Sequence, residues 1–332
     1  QVLRKMAIDA GYAVSHVVVN SQGGVRFNRM DSILGEVSRQ LEVDDSGRRG
    51  VGTLFDEFMS KPPAELGEDA KRLRESITSK GKWTFSETLR SPGIHVALRA
   101  WSLSGGKVRD LVEDWFVNPY NYRGQRKLLY RQLVEQFLGR FKEVRPEWVF
   151  YAEEVFVFHT GDHRQAWDAI SDFDLIAKAS GLRGLVLLFD EFEDVIQNLN
   201  RRDLQQRAYL NLFRFFAGDR FPGMAYFAVT PDFVEKCRAE LIERGAYDFD
   251  YQQLKMLGSF EMDQISQGQF IELAKRIRHV HAIAYGWDPV EAIPDQDLEH
   301  LVEGLLRVAA PNRVRSAIQG VVSALDDSLE DA

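Results

Sequence analysis

The sequence has 332 residues, which exceeds one typical domain and predicts either one large domain with an insertion or two domains. Hydrophobic residues make up 45% and charged residues 28%, so the chain can bury a sizeable core, and its apolar runs are too short to span a bilayer. The formal net charge of −8 excludes a surface that is basic throughout, and the single Cys237 excludes an internal disulfide framework and is typical of a reducing compartment. We therefore expect a cytoplasmic protein without membrane contact.

The first residues follow helical spacing up to Gly11, and a mostly apolar run near 14–19 then predicts a buried strand. Helical periodicity returns over 30–41, and a short helix is expected around Phe55 and Met59. Because the first helix begins without a capping residue, we expect a further segment to precede Gln1.

The pattern changes between residues 61 and 163, where the sequence is charged, helical in tendency and rich in tryptophan. We interpret this stretch as a helical insertion. Strand and helix patterns alternate again afterwards, with strands near 184–190, 224–230 and 256–260 and helices between them. From residue 261 to residue 332 the pattern is helical throughout.

This order predicts an α/β fold, in which a parallel sheet is flanked by helices. Residues 1–60 and 164–260 would form the core, 61–163 the insertion and 261–332 a C-terminal lid.

The strongest motif is an apolar strand that ends in two acids, Leu185-Val186-Leu187-Leu188-Phe189-Asp190-Glu191. This is the Walker B pattern of P-loop NTPases. A strand of a parallel sheet delivers its carboxyl end to the crevice where ligands bind. Asp190 could then hold Mg²⁺ and Glu191 could activate the attacking water. The alternative is a strand that ends in a solvated acidic turn.

Thr230 ends the next predicted strand, the position from which a sensor residue contacts the γ-phosphate or the attacking water. A strand end before Pro231 without a catalytic role is the alternative. No G-x-x-x-x-G-K-[ST] sequence occurs in the chain. In the βαβ order this phosphate-binding loop would come directly before Gln1.

Several arginines are candidates for contacts with nucleotide. Arg313 opens the last amphipathic helix, where a guanidinium could bind phosphate oxygens in a bidentate manner. Arg220, Arg238 and Arg244 are arginine-finger candidates. The alternative for each of these residues is a solvated surface arginine.

A basic segment interleaved with aromatic residues lies inside the predicted insertion. A solvated helix face is the simpler interpretation, and a nucleic-acid or partner patch is the alternative, which would allow DNA contact through the insertion. Its central basic residues are Arg123, Arg126, Lys127 and Arg131.

Three segments together resemble the BREX-system ATP-binding domain family: residues 184–193, 207–212 and 230–233. This family comprises bacterial AAA+/STAND-type P-loop ATPases of anti-phage defence islands. The resemblance covers residues 1–60 and 165–325 and hardly extends to the insertion. It implies binding of ATP and Mg²⁺, slow hydrolysis used as a switch, and assembly with itself or with other defence-system proteins.

Two functions remain open at this point. The chain could belong to an active ATPase whose phosphate-binding loop lies outside these residues, or to a non-hydrolysing interaction module that keeps the fold. A nuclease that uses Asp190, Glu191 and Glu193 is disfavoured, because no further metal-ligand cluster is apparent in the sequence.

Overall fold

The computed structural model divides the chain into two compact units, Gln1–Gly258 and Ser259–Ala332. The structure describes residues 2–19, 25–79, 88–117, 164–192, 199, 201–217, 220–230, 233, 265–307 and 313–330.

The first unit is built on a four-stranded sheet with the order β2-β1-β3-β4. The strands are β1 Ala13–Val18, β2 Leu41–Glu42, β3 Leu185–Asp190 and β4 Met224–Phe227. β1, β3 and β4 run parallel, with Ala13 opposite Leu185 and Val186 opposite Met224. β2 pairs with β1 in the antiparallel direction, so the sheet is mixed and mostly parallel.

Helices alternate with the strands of this sheet along the chain. α1 precedes β1, α2 joins β1 to β2, α7 precedes β3, and α8 joins β3 to β4. The helices of the first unit are α1 Val2–Asp9, α2 Met30–Gln40, α3 Val51–Ser60, α4 Glu68–Thr78, α5 Pro92–Leu103, α6 Gly106–Val117, α7 Arg164–Ala179 and α8 Arg202–Ala217, with a 3₁₀ turn at Pro63–Glu65.

Side chains alternate between the two faces of the sheet, as the pleat of a strand requires. One face carries Val17, Leu187 and Phe189, and it packs into the main core with the helices α2 to α8. The other face carries Val14, Val186 and Leu188, which pack against α1. The main core therefore covers the first face, whereas α1 covers only part of the second, on which Val18 and Tyr226 remain exposed.

A buried carboxyl group connects α7 to the start of α5. Asp172 accepts hydrogen bonds from the backbone amides of Arg90 at 3.0 Å and Ser91 at 2.7 Å. Burial raises the pKa of Asp172 to about 8, and the two amides oppose that rise. Since α5 lies within the predicted insertion, this contact fixes part of that segment onto the main core.

The second unit is a helical bundle around a core that includes Phe270, Leu298 and Val321. Its first helix begins with a capping box between Ser266 and Gln269 and ends at Gly286, whose φ of 69° suits glycine. Its helices are α9 Gln267–Tyr285, α10 Pro289–Ala292, α11 Asp295–Leu306 and α12 Arg313–Glu330.

His281 joins three parts of this bundle. Trp287 donates its Nε1 proton to His281 Nδ1 at 2.9 Å, and His281 Nε2 lies 2.9 Å from Asp326. Because an indole N–H can only donate, Nδ1 is the acceptor. Nε2 therefore carries the ring proton and donates a hydrogen bond to the carboxylate of Asp326. The imidazole thereby ties α9 to α12 through one defined tautomer.

The predicted α/β fold is confirmed, with strands observed at three of the four predicted positions. The antiparallel β2 was not predicted, because two residues are too few to display a period. The predicted strand at 256–260 lies outside the described residues, and so does the helix predicted at 233–242 except for Phe233. Within the part of the chain that the structure describes, no helix combines the length and apolarity needed to cross a membrane.

Candidate active site at the carboxyl edge of the sheet

β1, β3 and β4 end at the same edge of the sheet, because they run parallel and in register. Asp190 is the last residue of β3 and lies opposite Val18. Its backbone carbonyl accepts a hydrogen bond from the amide of Val19 at 2.8 Å, which holds it to β1. The Asp190 side chain is 50% exposed, so its carboxylate oxygens are accessible to a ligand.

The backbone hydrogen bonds that join the end of β3 to the end of β4 are irregular. In a regular parallel ladder, the amide and the carbonyl of one residue bond to residues two apart on the neighbouring strand. Ala228 instead donates to the carbonyl of Phe189 at 2.8 Å and accepts from the amide of Phe192 at 3.4 Å, three residues further on. One extra residue is thus inserted at Asp190–Glu191, which makes this segment a β-bulge.

The bulge places Glu191 in the left-handed backbone region, with φ of 55°. Among the described residues, no other residue except glycine has a positive φ. Such a conformation costs about 1–2 kcal/mol for a residue with a Cβ. Residues held in this way cluster at functional sites, where the surrounding structure enforces them.

The bulge also changes which side chain enters the core. In a regular strand, Asp190 would point away from the core and Glu191 would point to the core face, as Phe189 does. The structure instead leaves Glu191 exposed and buries Phe192, whose ring is only 1% exposed. As a result, two adjacent carboxylates are accessible at the strand end.

Phe192 enters a cluster of aromatic rings beneath the edge. Its ring centroid lies 4.7 Å from that of Phe27, 4.9 Å from that of Phe227 and 5.7 Å from that of Phe233. All three contacts are edge-to-face, the arrangement that the ring quadrupole favours. Phe27 belongs to the segment after β1 and Phe233 to the segment after β4, so the cluster joins the chain at three strand ends.

His16 lies beside Asp190 and was not assigned a role from the sequence. Its Nε2 atom is 3.6 Å from Asp190 Oδ2, since both residues project from the same face of neighbouring strands. The imidazole is 28% exposed. The two residues lie 174 positions apart in the sequence. Only the order of the strands therefore reveals that they are neighbours.

Thr230 follows β4 at the same edge. Its hydroxyl oxygen is buried and has no hydrogen-bond partner in the described part of the chain. A buried hydroxyl without a partner costs about 1–3 kcal/mol. Thr230 thus carries a polar atom that a ligand or a water molecule could satisfy.

The other residues predicted for the site are arginines and a lysine. Arg220 precedes β4 and therefore lies near the amino ends of the parallel strands, away from Asp190. Its backbone carbonyl accepts a hydrogen bond from the hydroxyl of Ser171. Arg313 is the first residue of α12, in the second unit. The remaining candidates lie outside the described residues: Arg238, Arg244, Arg123, Arg126, Lys127 and Arg131.

Within the described residues, no three side chains of His, Cys, Asp or Glu gather around a common point that could hold a metal ion. The acidic side chains at this edge are thus those of two adjacent residues, Asp190 and Glu191.

Residues 153–327, more than half of the chain, match the family described as BREX system ATP-binding protein BrxC/D. This stretch includes β3, the bulge, β4 and the helices of the second unit up to α12. No curated protein and no solved structure matches the chain. By the extent of the family match, the chain belongs to the BrxC/D family of BREX system ATP-binding proteins.

Proposed function

We propose that the chain is part of an ATPase that acts as a switch or motor in bacterial anti-phage defence, with Mg²⁺-dependent hydrolysis at Asp190 and Glu191. The family description supports ATP binding and a role in the BREX system. The observation that carries the proposal is the β-bulge, which exposes two adjacent carboxylates at the carboxyl edge of a parallel sheet. In open α/β sheets, ligands bind at this edge.

Asp190 would hold Mg²⁺, mostly through water, while the phosphates of ATP supply the other ligands. Carboxylate oxygens suit this hard cation, and a site with one or two carboxylates plus substrate phosphates is its usual arrangement in nucleotide-dependent enzymes. The half-exposed side chain of Asp190 fits this role. When bound, Mg²⁺ would neutralise phosphate charge during transfer.

Glu191 would orient the attacking water and accept its proton. Its exposed side chain follows Asp190 directly, so a water molecule near the metal-bound phosphate would come within its reach. Thr230 would complete the site by donating its hydroxyl proton to the γ-phosphate or to the same water. This contact would satisfy a hydroxyl that has no partner among the described residues.

The proposal requires a phosphate-binding loop, and residues 1–332 contain no G-x-x-x-x-G-K-[ST] sequence. The start of α1 would suit phosphate, because unpaired amides and the helix dipole favour an anion at a helix N-terminus. Within the described residues, the outer edge of β4 pairs with no further strand. A strand that delivers the loop could add to that edge.

Further contacts belong to the same proposal. Arg313 would reach the nucleotide from the lid, and Arg220, Arg238 or Arg244 would serve as an arginine finger in a self-associated assembly. The basic residues Arg123, Arg126, Lys127 and Arg131 would contact DNA or another defence-system protein. We also propose residues 61–163 as an insertion and 261–332 as the lid of the nucleotide-binding core.

The test is to measure ATP binding and phosphate release by the full-length protein, with Mg²⁺ and with EDTA. We expect saturable ATP binding, and phosphate release that depends on Mg²⁺. A full-length protein that neither binds ATP nor releases phosphate would instead be a scaffold on the same fold.

A further inference from the structure

The position of Glu191 depends on a neighbour that carries no chemistry of its own. We infer that Phe192 is a positioning residue, whose insertion into the aromatic cluster holds the β-bulge and so keeps Glu191 outside the core. This inference rests on the proposed function of Glu191. It adds a residue that sets the geometry of hydrolysis without contact with substrate.

The side chains of Glu191 and Phe192 compete for one core position. Continued alternation after Phe189 would send residue 191 to the core face and residue 192 to the face that α1 covers. An ionised glutamate among phenylalanine rings would be desolvated without a partner, whereas a phenylalanine ring gains from burial there. The bulge exchanges the two, so that Phe192 takes the core position and Glu191 becomes exposed.

The ring of Phe192 holds the bulge more firmly than the backbone hydrogen bonds do. Two backbone hydrogen bonds to Ala228 bracket Asp190 and Glu191, and the bond from the amide of Phe192 is long at 3.4 Å. Backbone pairing alone is thus weak at the point where the bulge closes. The contacts of the Phe192 ring with Phe27, Phe227 and Phe233 supply the stronger restraint.

The restraint on Glu191 affects turnover through the position of the base. A general base must stay within hydrogen-bonding reach of the water that it activates. A displacement of about 1 Å in a reacting group can lower the rate about 10²-fold. Loss of the Phe192 ring should therefore reduce kcat, while the contacts that bind ATP and Mg²⁺ remain.

Phe192→Ala and Phe192→Leu test the inference in the full-length protein. We expect Phe192→Ala to lower kcat by about 10-fold to 100-fold with KM nearly unchanged. Phe192→Leu, which keeps a buried apolar group, should recover most of the activity. Phe221→Ala is the matched control, because Phe221 is also 1% exposed and contacts the same core, but it lies before β4. It should lower thermal stability to a similar extent and leave kcat nearly unchanged.

Amide hydrogen exchange of the same variants gives a readout that does not depend on ATP. We expect Phe192→Ala to accelerate exchange in a peptide that covers residues 188–192, and Phe221→Ala to leave that peptide protected. This measurement decides the inference even if the wild-type protein hydrolyses no ATP, an outcome that would refute only the proposed function.

The inference is overturned if residues 188–192 remain equally protected in Phe192→Ala and in the wild type. It is also overturned if Phe192→Ala releases phosphate at the wild-type rate while Glu191→Gln is inactive. Equal losses of kcat in Phe192→Ala and Phe221→Ala would contradict it as well, because they would indicate general destabilisation of the core.

Discussion

Replacement of Glu191 by glutamine should abolish turnover and leave ATP binding nearly intact. The amide keeps the shape of the side chain and its exposed position after β3, but it cannot accept the proton of the attacking water. General-base assistance contributes about 10²–10⁴-fold to such reactions, and we expect phosphate release to fall by this factor. The measurement compares ATP affinity and phosphate release in full-length wild type and Glu191→Gln.

Glu75→Gln is the control for this substitution, since Glu75 is an exposed glutamate on α4. It should match the wild type in binding and in phosphate release. Unchanged phosphate release in Glu191→Gln would exclude Glu191 as the base, and loss of ATP binding in that variant would assign it a role in binding instead.

Replacement of Asp190 by alanine should act on an earlier step. It removes the carboxylate that anchors Mg²⁺, and loss of a group that holds a metal through outer-sphere contacts typically lowers metal affinity by about 10-fold to 100-fold. We expect weaker ATP binding in the presence of Mg²⁺ and an affinity close to that of the wild type in EDTA. Titration of ATP at several Mg²⁺ concentrations measures both effects.

Glu75→Ala is the matched control, because it also removes one exposed carboxylate from the first unit. If Asp190→Ala and Glu75→Ala respond to Mg²⁺ in the same way, Asp190 does not hold the metal. An equal loss of affinity in Mg²⁺ and in EDTA would indicate damage to the fold at the end of β3.

The end of β3 was predictable from the sequence, because a run of apolar residues followed by two acids is typical of a buried strand that reaches a ligand-binding edge. The parallel direction of β1, β3 and β4 followed from the helices between them. The antiparallel β2 did not, since its two residues show no period. The sequence therefore specified the main sheet but not its outer strand.

The details of the edge were harder to predict, because they depend on contacts between distant segments. The bulge requires Ala228 to bond both Phe189 and Phe192, and the register of β4 decides this. The proximity of His16 to Asp190 requires β1 and β3 to be neighbours in the sheet. Burial of Phe192 depends on Phe27, which lies 165 positions earlier in the chain.

Binding of nucleotide and Mg²⁺ at the edge that Asp190 and Glu191 form underlies each of these expectations. Its most direct test is the structure of the full-length Glu191→Gln variant in complex with ATP and Mg²⁺, since this variant should bind ATP without hydrolysing it. We expect the metal between Asp190 and the phosphates, directly or through water, and the glutamine at position 191 beside the γ-phosphate. Nucleotide bound elsewhere, or a metal with no contact to Asp190, would contradict the assignment.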